Sequence, residues 1–260
     1  MPFDLIGCTE ATPGTGTVLV AFPNDDRVAR LDANDSIKIT EKHKALLGVL
    51  YSATTTGARA LIRQPGEIDK SFLKCGLITD LDPIQSYSDQ FKFPIMLKVG
   101  SKLQALSVNA TDEETLIGLM LGTGFINPQP FAIDEVIDGY SDTTATALAW
   151  SPCPITWNQD LKAGKYSIVG MRCSTWLTAN HWLGLARLVI PGNPAWKPGV
   201  PTALAEADHE EYQSITAEPW KFWGDIGVTF NAPEEMPNIE VLGPSAVTDE
   251  NVQLYLKKVG

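Results

Sequence analysis

Lys44-Ala45-Leu46-Leu47-Gly48-Val49-Leu50-Tyr51-Ser52 and Tyr166-Ser167-Ile168-Val169-Gly170-Met171-Arg172-Cys173-Ser174 share one apolar pattern, with Gly48 over Gly170 and Ser52 over Ser174. The match matters because a repeat decides the fold before any single element does. About ten residues after each copy, a second strand-like run closes with the same turn. Ala58-Arg59-Ala60-Leu61-Ile62-Arg63-Gln64-Pro65-Gly66 stands opposite Gly184-Leu185-Ala186-Arg187-Leu188-Val189-Ile190-Pro191-Gly192, and both end in Pro-Gly. A third match lies further on. Leu103-Gln104-Ala105-Leu106, followed by Thr111-Asp112-Glu113, parallels Ile239-Glu240-Val241-Leu242, followed by Thr248-Asp249-Glu250; Ile117 and Leu119 then fall over Leu254 and Leu256. The matches keep their order, and their offset grows as insertions in the second copy would make it.

Working outward, other short runs lie between turn signals. Thr17 to Phe22 precedes Pro23-Asn24-Asp25-Asp26, and Ser36 to Thr40 alternates its isoleucines with polar neighbours. Leu46 to Tyr51, Phe91 to Val99, Leu103 to Val108 and Thr115 to Leu121 read the same way, as strands. No long amphipathic period is present; Val200 to Tyr212 is the clearest helix candidate, a short one. The 21 Gly and 18 Pro spread along the chain agree with many strands and turns. The expected fold is therefore all-β with minor helical content, in two tandem sandwiches. Gly122-Thr123-Gly124, ahead of Asn127-Pro128-Gln129-Pro130, marks the boundary, which gives halves 1–124 and 125–260. Each half has room for about eight strands of about 5–6 residues with turns.

Composition narrows the function. At 44% hydrophobic and 20% charged, the chain can bury a sizeable core. Twenty Lys and Arg against 31 Asp and Glu leave a net charge of −11, which repels phosphate and disfavours direct nucleic-acid contact. Met1 to Glu10 lacks the basic start and apolar run of a secretory signal, so synthesis and folding in the cytosol are expected. Cys8, Cys75, Cys153 and Cys173 contain no C-x-x-C pair and read as reduced, buried thiols.

The chemistry-bearing motifs are sparse. The histidines are His43, His181 and His209; none lies in H-E-x-x-H, no serine sits in G-x-S-x-G, and no G-x-x-x-x-G-K-[ST] loop occurs. Pro13-Gly14-Thr15-Gly16-Thr17 lacks the lysine of a phosphate loop and reads as a turn. Asp32-Ala33-Asn34-Asp35-Ser36 spaces its oxygens like a calcium loop, but Ile37 stands where glycine is needed and His43 where the bidentate glutamate belongs, so it reads as a polar turn. Asp208-His209-Glu210-Glu211 reads as a solvated acidic face. No catalytic residue, metal or cofactor is assigned, and the chain is not expected to be an enzyme. Dispersed carboxylates of a hydrolase stay open, since paired acids need no sequence motif.

All seven tryptophans, Trp150, Trp157, Trp176, Trp182, Trp196, Trp220 and Trp223, lie in the second half. Trp150 and Trp157 suit a core. Trp196, in Asn193-Pro194-Ala195-Trp196-Lys197-Pro198-Gly199, and Trp220 and Trp223, after Glu218-Pro219, are the candidate subunit-interface residues, because a broad amphipathic ring supplies contact area at low entropic cost. The same rings could instead form a carbohydrate platform.

The two copies of G-x-x-x-S, strand, Pro-Gly and the Thr-Asp-Glu strand, in an acidic chain without catalytic signatures, resemble the double jelly-roll major capsid proteins of icosahedral viruses, including phages with an internal membrane. The resemblance covers most of the chain. It implies two jelly-roll sandwiches, a homotrimer of nearly hexagonal outline that tiles a shell, and residence in the virion after synthesis in the host cytoplasm. The implied partners are copies of itself, other virion proteins and the surface of an internal membrane. The chain departs from the family in being short, with no tower insertion, and in lacking a basic N-terminal arm. The competing expectation is a carbohydrate- or receptor-binding β-sandwich, an accessory virion protein that uses the second-half tryptophans.

Overall fold

The computed structural model describes residues 2–53, 58–65, 71–74, 86–109, 114–124, 132–176, 184–192, 195–204 and 223–260. These residues form an almost wholly β protein of several antiparallel sheets, with two short 3-10 turns at Asp32–Asn34 and Glu41–His43.

Ten strands belong to the first half: β1 (Phe3–Glu10), β2 (Gly16–Leu19), β3 (Arg30–Leu31), β4 (Ser36–Lys38), β5 (Ala45–Ala53), β6 (Arg59–Arg63), β7 (Ser71–Lys74), β8 (Ser86–Met96), β9 (Lys102–Asn109) and β10 (Thr115–Gly122). They build a sheet ordered β1-β10-β5-β8 and a second ordered β3-β4-β9-β6-β7, with β2 also on β9. The second half contributes β11 (Glu135–Ser141), β12 (Ser151–Cys153), β13 (Thr156–Trp157), β14 (Gly164–Trp176), β15 (Leu185–Val189), β16 (Gly199–Pro201), β17 (Ala203–Leu204), β18 (Thr229–Ala232), β19 (Asn238–Leu242) and β20 (Thr248–Lys258). Their sheets run β13-β11-β20-β14-β17, with β18 also on β14, and β12-β19-β15-β16. Among the described residues, no ladder joins a strand of one half to a strand of the other.

The repeated sequence stretches occupy matching places in these sheets. β5 and β14 both pair with the last strand of their half, β10 and β20. β6 and β15, the two runs before Pro-Gly, both lie beside the penultimate long strand, β9 or β19.

Alternation of side chains explains where the cores sit. On the β1-β10-β5 sheet, Ile6, Cys8, Val49, Tyr51, Ile117 and Leu119 face the β4-β9-β6 sheet and join Ile37, Ala60, Ile62, Leu103 and Ala105 in one cluster. Phe3, Leu5, Leu50, Leu116 and Met120 point the other way and join the second-half core of Ile168, Leu188, Val241, Leu254 and Trp223. This sheet is therefore buried on both faces. That is why β10, Thr-Leu-Ile-Gly-Leu-Met-Leu-Gly, is buried at every position and shows no polar alternation.

Two regions differ from the sequence reading. Phe3–Glu10 is a strand the sequence reading does not include: Asp4 and Gly7 interrupt its apolar run, whereas the unbroken run of β10 is legible. The helix expected from Val200 is replaced, where its residues are described, by the short strands β16 and β17, since Leu185, Ala186 and Arg187 of β15 pair with Pro201, Val200 and Gly199. The rest of that candidate lies outside the described residues.

Candidate functional site

The most elaborate chemistry lies where the two halves meet. In β1 and β10, Gly7 and Gly118 are direct cross-strand partners, so the sheet surface there has no side chains. Leu185 and Leu242, themselves partners across β15 and β19, fill the gap. A Cβ on Gly7 would come within 2.2 Å of Leu242 Cδ2, and one on Gly118 within 2.9 Å of Leu185 Cδ2. Phe3 meets the Trp223 ring edge-on, with centroids 5.6 Å apart at 88°. The strands β15 and β19 thus lay one face of their sheet on the outer face of the β1-β10-β5 sheet.

A charge cluster borders this apolar seam. Arg187, in register with Glu240, is 1% exposed. Its guanidinium donates to Asp25 at 2.7 Å, to Glu240 at 2.8 Å and to the Leu5 carbonyl at 3.3 Å, and lies 3.9 Å from the Trp150 ring centroid. Lys197 Nζ reaches Glu240 at 2.9 Å and Asp26 at 3.1 Å. Four carboxylates (Asp4, Asp25, Asp26, Glu240) thus meet four cations (Arg27, Lys42, Arg187, Lys197), so the seam is close to neutral.

Asp4 is the centre of the other end. Its carboxylate, wholly buried, accepts from Lys42 Nζ at 2.6 Å, from His43 Nε2 at 2.7 Å and from the Lys197 backbone N–H at 2.7 Å. Burial alone would raise this carboxyl, but the hydrogen bonds from His43, Lys42 and Lys197 outweigh it and bring the pKa down to about 2. An ionised Asp4 can only accept, so the His43 proton sits on Nε2. Leu5 N–H donates to the Lys197 carbonyl at 3.0 Å, so the segment Trp196-Lys197 covers the open edge of β1. Covering an edge in this way blocks stray strand pairing.

The sequence-predicted interface residues fall as follows. Trp196 is half-buried; Lys42 Nζ lies 4.3 Å from its ring centroid and His43 meets it edge-on at 6.4 Å. Trp223 is 1% exposed, against Phe3. Both make their contacts within the chain, across the seam. Trp220 lies outside the described residues, as do Asp208 to Glu211, His181, His209 and Cys75. Of the polar turns, Asp32 accepts from Ser36 at 2.9 Å and pairs with Lys102 at 2.7 Å.

His43 and Asp4 form a histidine–carboxylate pair of the kind that orients a general base. Its other nitrogen, Nδ1, is buried with no hydrogen-bond partner, and the ring is 1% exposed. A residue so placed ties β1 to the turn before β5. Sequence reading passed over Asp4, Arg187 and Glu240, although charges inside the apolar runs Phe3 to Cys8 and Leu185 to Ile190 signal buried pairing.

Two further features lie elsewhere. On the outer face of β11, β20 and β14, Asp138, Asn158, Arg172, Ser174, Asn251 and Gln253 line an open hollow of about 290 Å³. The outer surfaces also differ in chemistry: Lys38, Arg59 and Lys102 are exposed on β4, β6 and β9, whereas Val136 and Tyr140 on β11 are 43% and 47% exposed beside Asp138. Comparison of the chain with protein-family models, with curated proteins and with solved structures found no match.

Proposed function

We propose that this chain is a structural assembly subunit of the double jelly-roll kind, a capsid protein whose copies join side by side as trimers and tile a shell. The observation that carries the reading is the doubled strand order. In a jelly roll, an eight-stranded double sheet built from two Greek keys, the first strand pairs with the last, the last with the third and the third with the sixth. The orders β1-β10-β5-β8 and β11-β20-β14-β18 fit that scheme. So do the companion orders, in which the second strand meets the seventh, the seventh the fourth and the fourth the fifth: β4-β9-β6-β7 and β12-β19-β15-β16.

The seam adds support. Inside one chain, an outer sheet face of the first half already packs on an outer sheet face of the second, so the fold is suited to lateral sheet-on-sheet contact. The faces left over are a basic one on β4, β6 and β9 and one carrying exposed Val136 and Tyr140 with Asp138 on β11. Two different faces on one body favour a head-to-tail contact, which closes into a ring when the rotation allows. Size-exclusion chromatography with light scattering, followed by electron microscopy, tests the reading. Trimers or a regular lattice are expected; a strict monomer at high concentration overturns it.

A second reading, a glycan-binding sandwich, draws on the amide- and carboxylate-lined hollow on β11, β14 and β20. Saturable binding on a glycan array, lost in Asn251→Ala, would favour it over the shell role.

A further inference from the structure

Glu250, near the start of β20, is wholly buried, and neither of its carboxylate oxygens has a hydrogen-bond partner. It stands opposite Ser141 of β11 in register, and its side chain shares the second-half core face with Val252, Leu254 and Leu256. The polar groups nearest to it, the Cys153 thiol and the Ser141 hydroxyl, favour its charged form less than burial opposes it. Cys153 Sγ donates to the Ser151 carbonyl at 3.6 Å, and Ser141 Oγ accepts from Thr143 N–H at 3.2 Å. The titratable groups facing it are Cys153 of β12 and Cys173 of β14; Asp249 precedes it on β20, and Glu240 of β19 lies beyond Cys153. All are acids, and burial keeps both thiols protonated: Cys153 is pushed up to about 12 and Cys173 well above the ordinary thiol range.

The backbone here also leaves the regular strand conformation. Asp249 has φ of +54°, a left-handed conformation that aspartate adopts more readily than most L residues but that no strand interior uses. Beside it, the β14–β20 ladder slips register between Ser174 and Trp176. The end of β20 that carries Glu250 is therefore its least regular stretch.

We propose that Glu250 is a protonation latch: neutral, it lies in the core and holds the start of β20 against β11 and β14; ionised, it turns out to water and frees that end of the strand. A buried, unpaired carboxylate is too costly to keep charged, so the closed state selects the acid form. Burial raises the Glu250 carboxyl to about 7. The sign follows from this direction. The closed state binds the proton more tightly than the open one, so latching is complete in acid and is lost as pH rises to about 7, above which opening levels off.

Hydrogen exchange at the amides of Asn251 and Val252, corrected for intrinsic rates, tests this in the intact chain. Opening is expected to rise about tenfold per pH unit between roughly pH 4.5 and 7, about 300-fold in all, and to be flat in both Glu250→Gln and Glu250→Leu. A wild-type profile as flat as the variants', or a slope that persists in either variant, overturns the latch. Carbon-13 NMR of the Glu250 carboxyl in the wild type decides the matter if the variants do not fold: a midpoint near 7 supports it, and one near 4.5 overturns it.

Discussion

Replacing Arg187 by Met keeps the length and apolar stem of the side chain and removes only its charge, so it isolates the electrostatics of the seam. The loss is large because the guanidinium is 1% exposed and holds Asp25, Glu240 and the Leu5 carbonyl at once. Glu240 keeps Lys197 as a partner at 2.9 Å; Asp25, 8% exposed, loses the cation that faces it. Breaking a buried pair from one side costs about 3–5 kcal/mol. The stacking of Arg187 on Trp150 at 3.9 Å adds about 0.5–2 kcal/mol. The expected total is about 3.5–7 kcal/mol, or a melting temperature roughly 7–28 °C lower at about 2–4 °C per kcal/mol. Differential scanning calorimetry and urea titration measure it. Adding Asp25→Asn should recover part of the loss, since it removes the stranded charge, and a double-mutant cycle gives the coupling. A variant that melts within a degree or two of the wild type would refute the view that this cluster joins the halves.

Two other outcomes follow from the same region. Gly7→Val places a branched side chain where a Cβ already comes within 2.2 Å of Leu242, and the overpacking should cost about 1–3 kcal/mol by urea unfolding, whereas Gly16→Val, where a Cβ has open space, should leave the seam intact and cost only what its positive φ imposes. The Asp4 carboxyl, held at about 2 in the folded chain, contributes stability that is complete above its ordinary value near 3.8 and is lost as pH falls towards 2; the contribution is about 2–3 kcal/mol, and Asp4→Asn should flatten that acid limb in calorimetric melts between pH 2 and 5.

Much of the strand content could be read from the chain, and its duplication too, because repeated segments carry both; the order of the strands in their sheets could not. β5 with β14 and β6 with β15 share apolar patterns and turn residues, since each pair occupies the same kind of place in its sheet. The seam was harder to see. Its specificity rests on Gly7 beside Gly118, on Leu185 beside Leu242 and on Arg187 beside Glu240, and such pairings depend on register, which no single segment encodes. The place of Trp196 was hidden for a related reason: a Pro-rich loop suggests exposure, whereas the ring is half-buried against Lys42 and His43, beside the backbone bond between Leu5 and Lys197. β1 gives a weaker signal than β10, although both are buried on two faces, because Asp4 and Gly7 break its apolar run. Glu250 could be seen only as the end of the repeated Thr-Asp-Glu, with nothing in that motif to mark it as buried.

The covering of the β1 edge by the Trp196-Lys197 segment bears on how the chain is made. β1 leaves the ribosome well before its partners: one flank waits for β10, and on the other Leu5 waits for Lys197, nearly two hundred positions later. At about 5–20 residues per second, that wait lasts roughly 10–40 s, during which an apolar strand has hydrogen-bonding groups free to meet other nascent chains. Such distant contacts also slow folding, because loop closure must precede the reward of pairing. Yield on expression should therefore depend on translation speed, temperature and chaperone supply more steeply than the stability of the finished molecule would suggest.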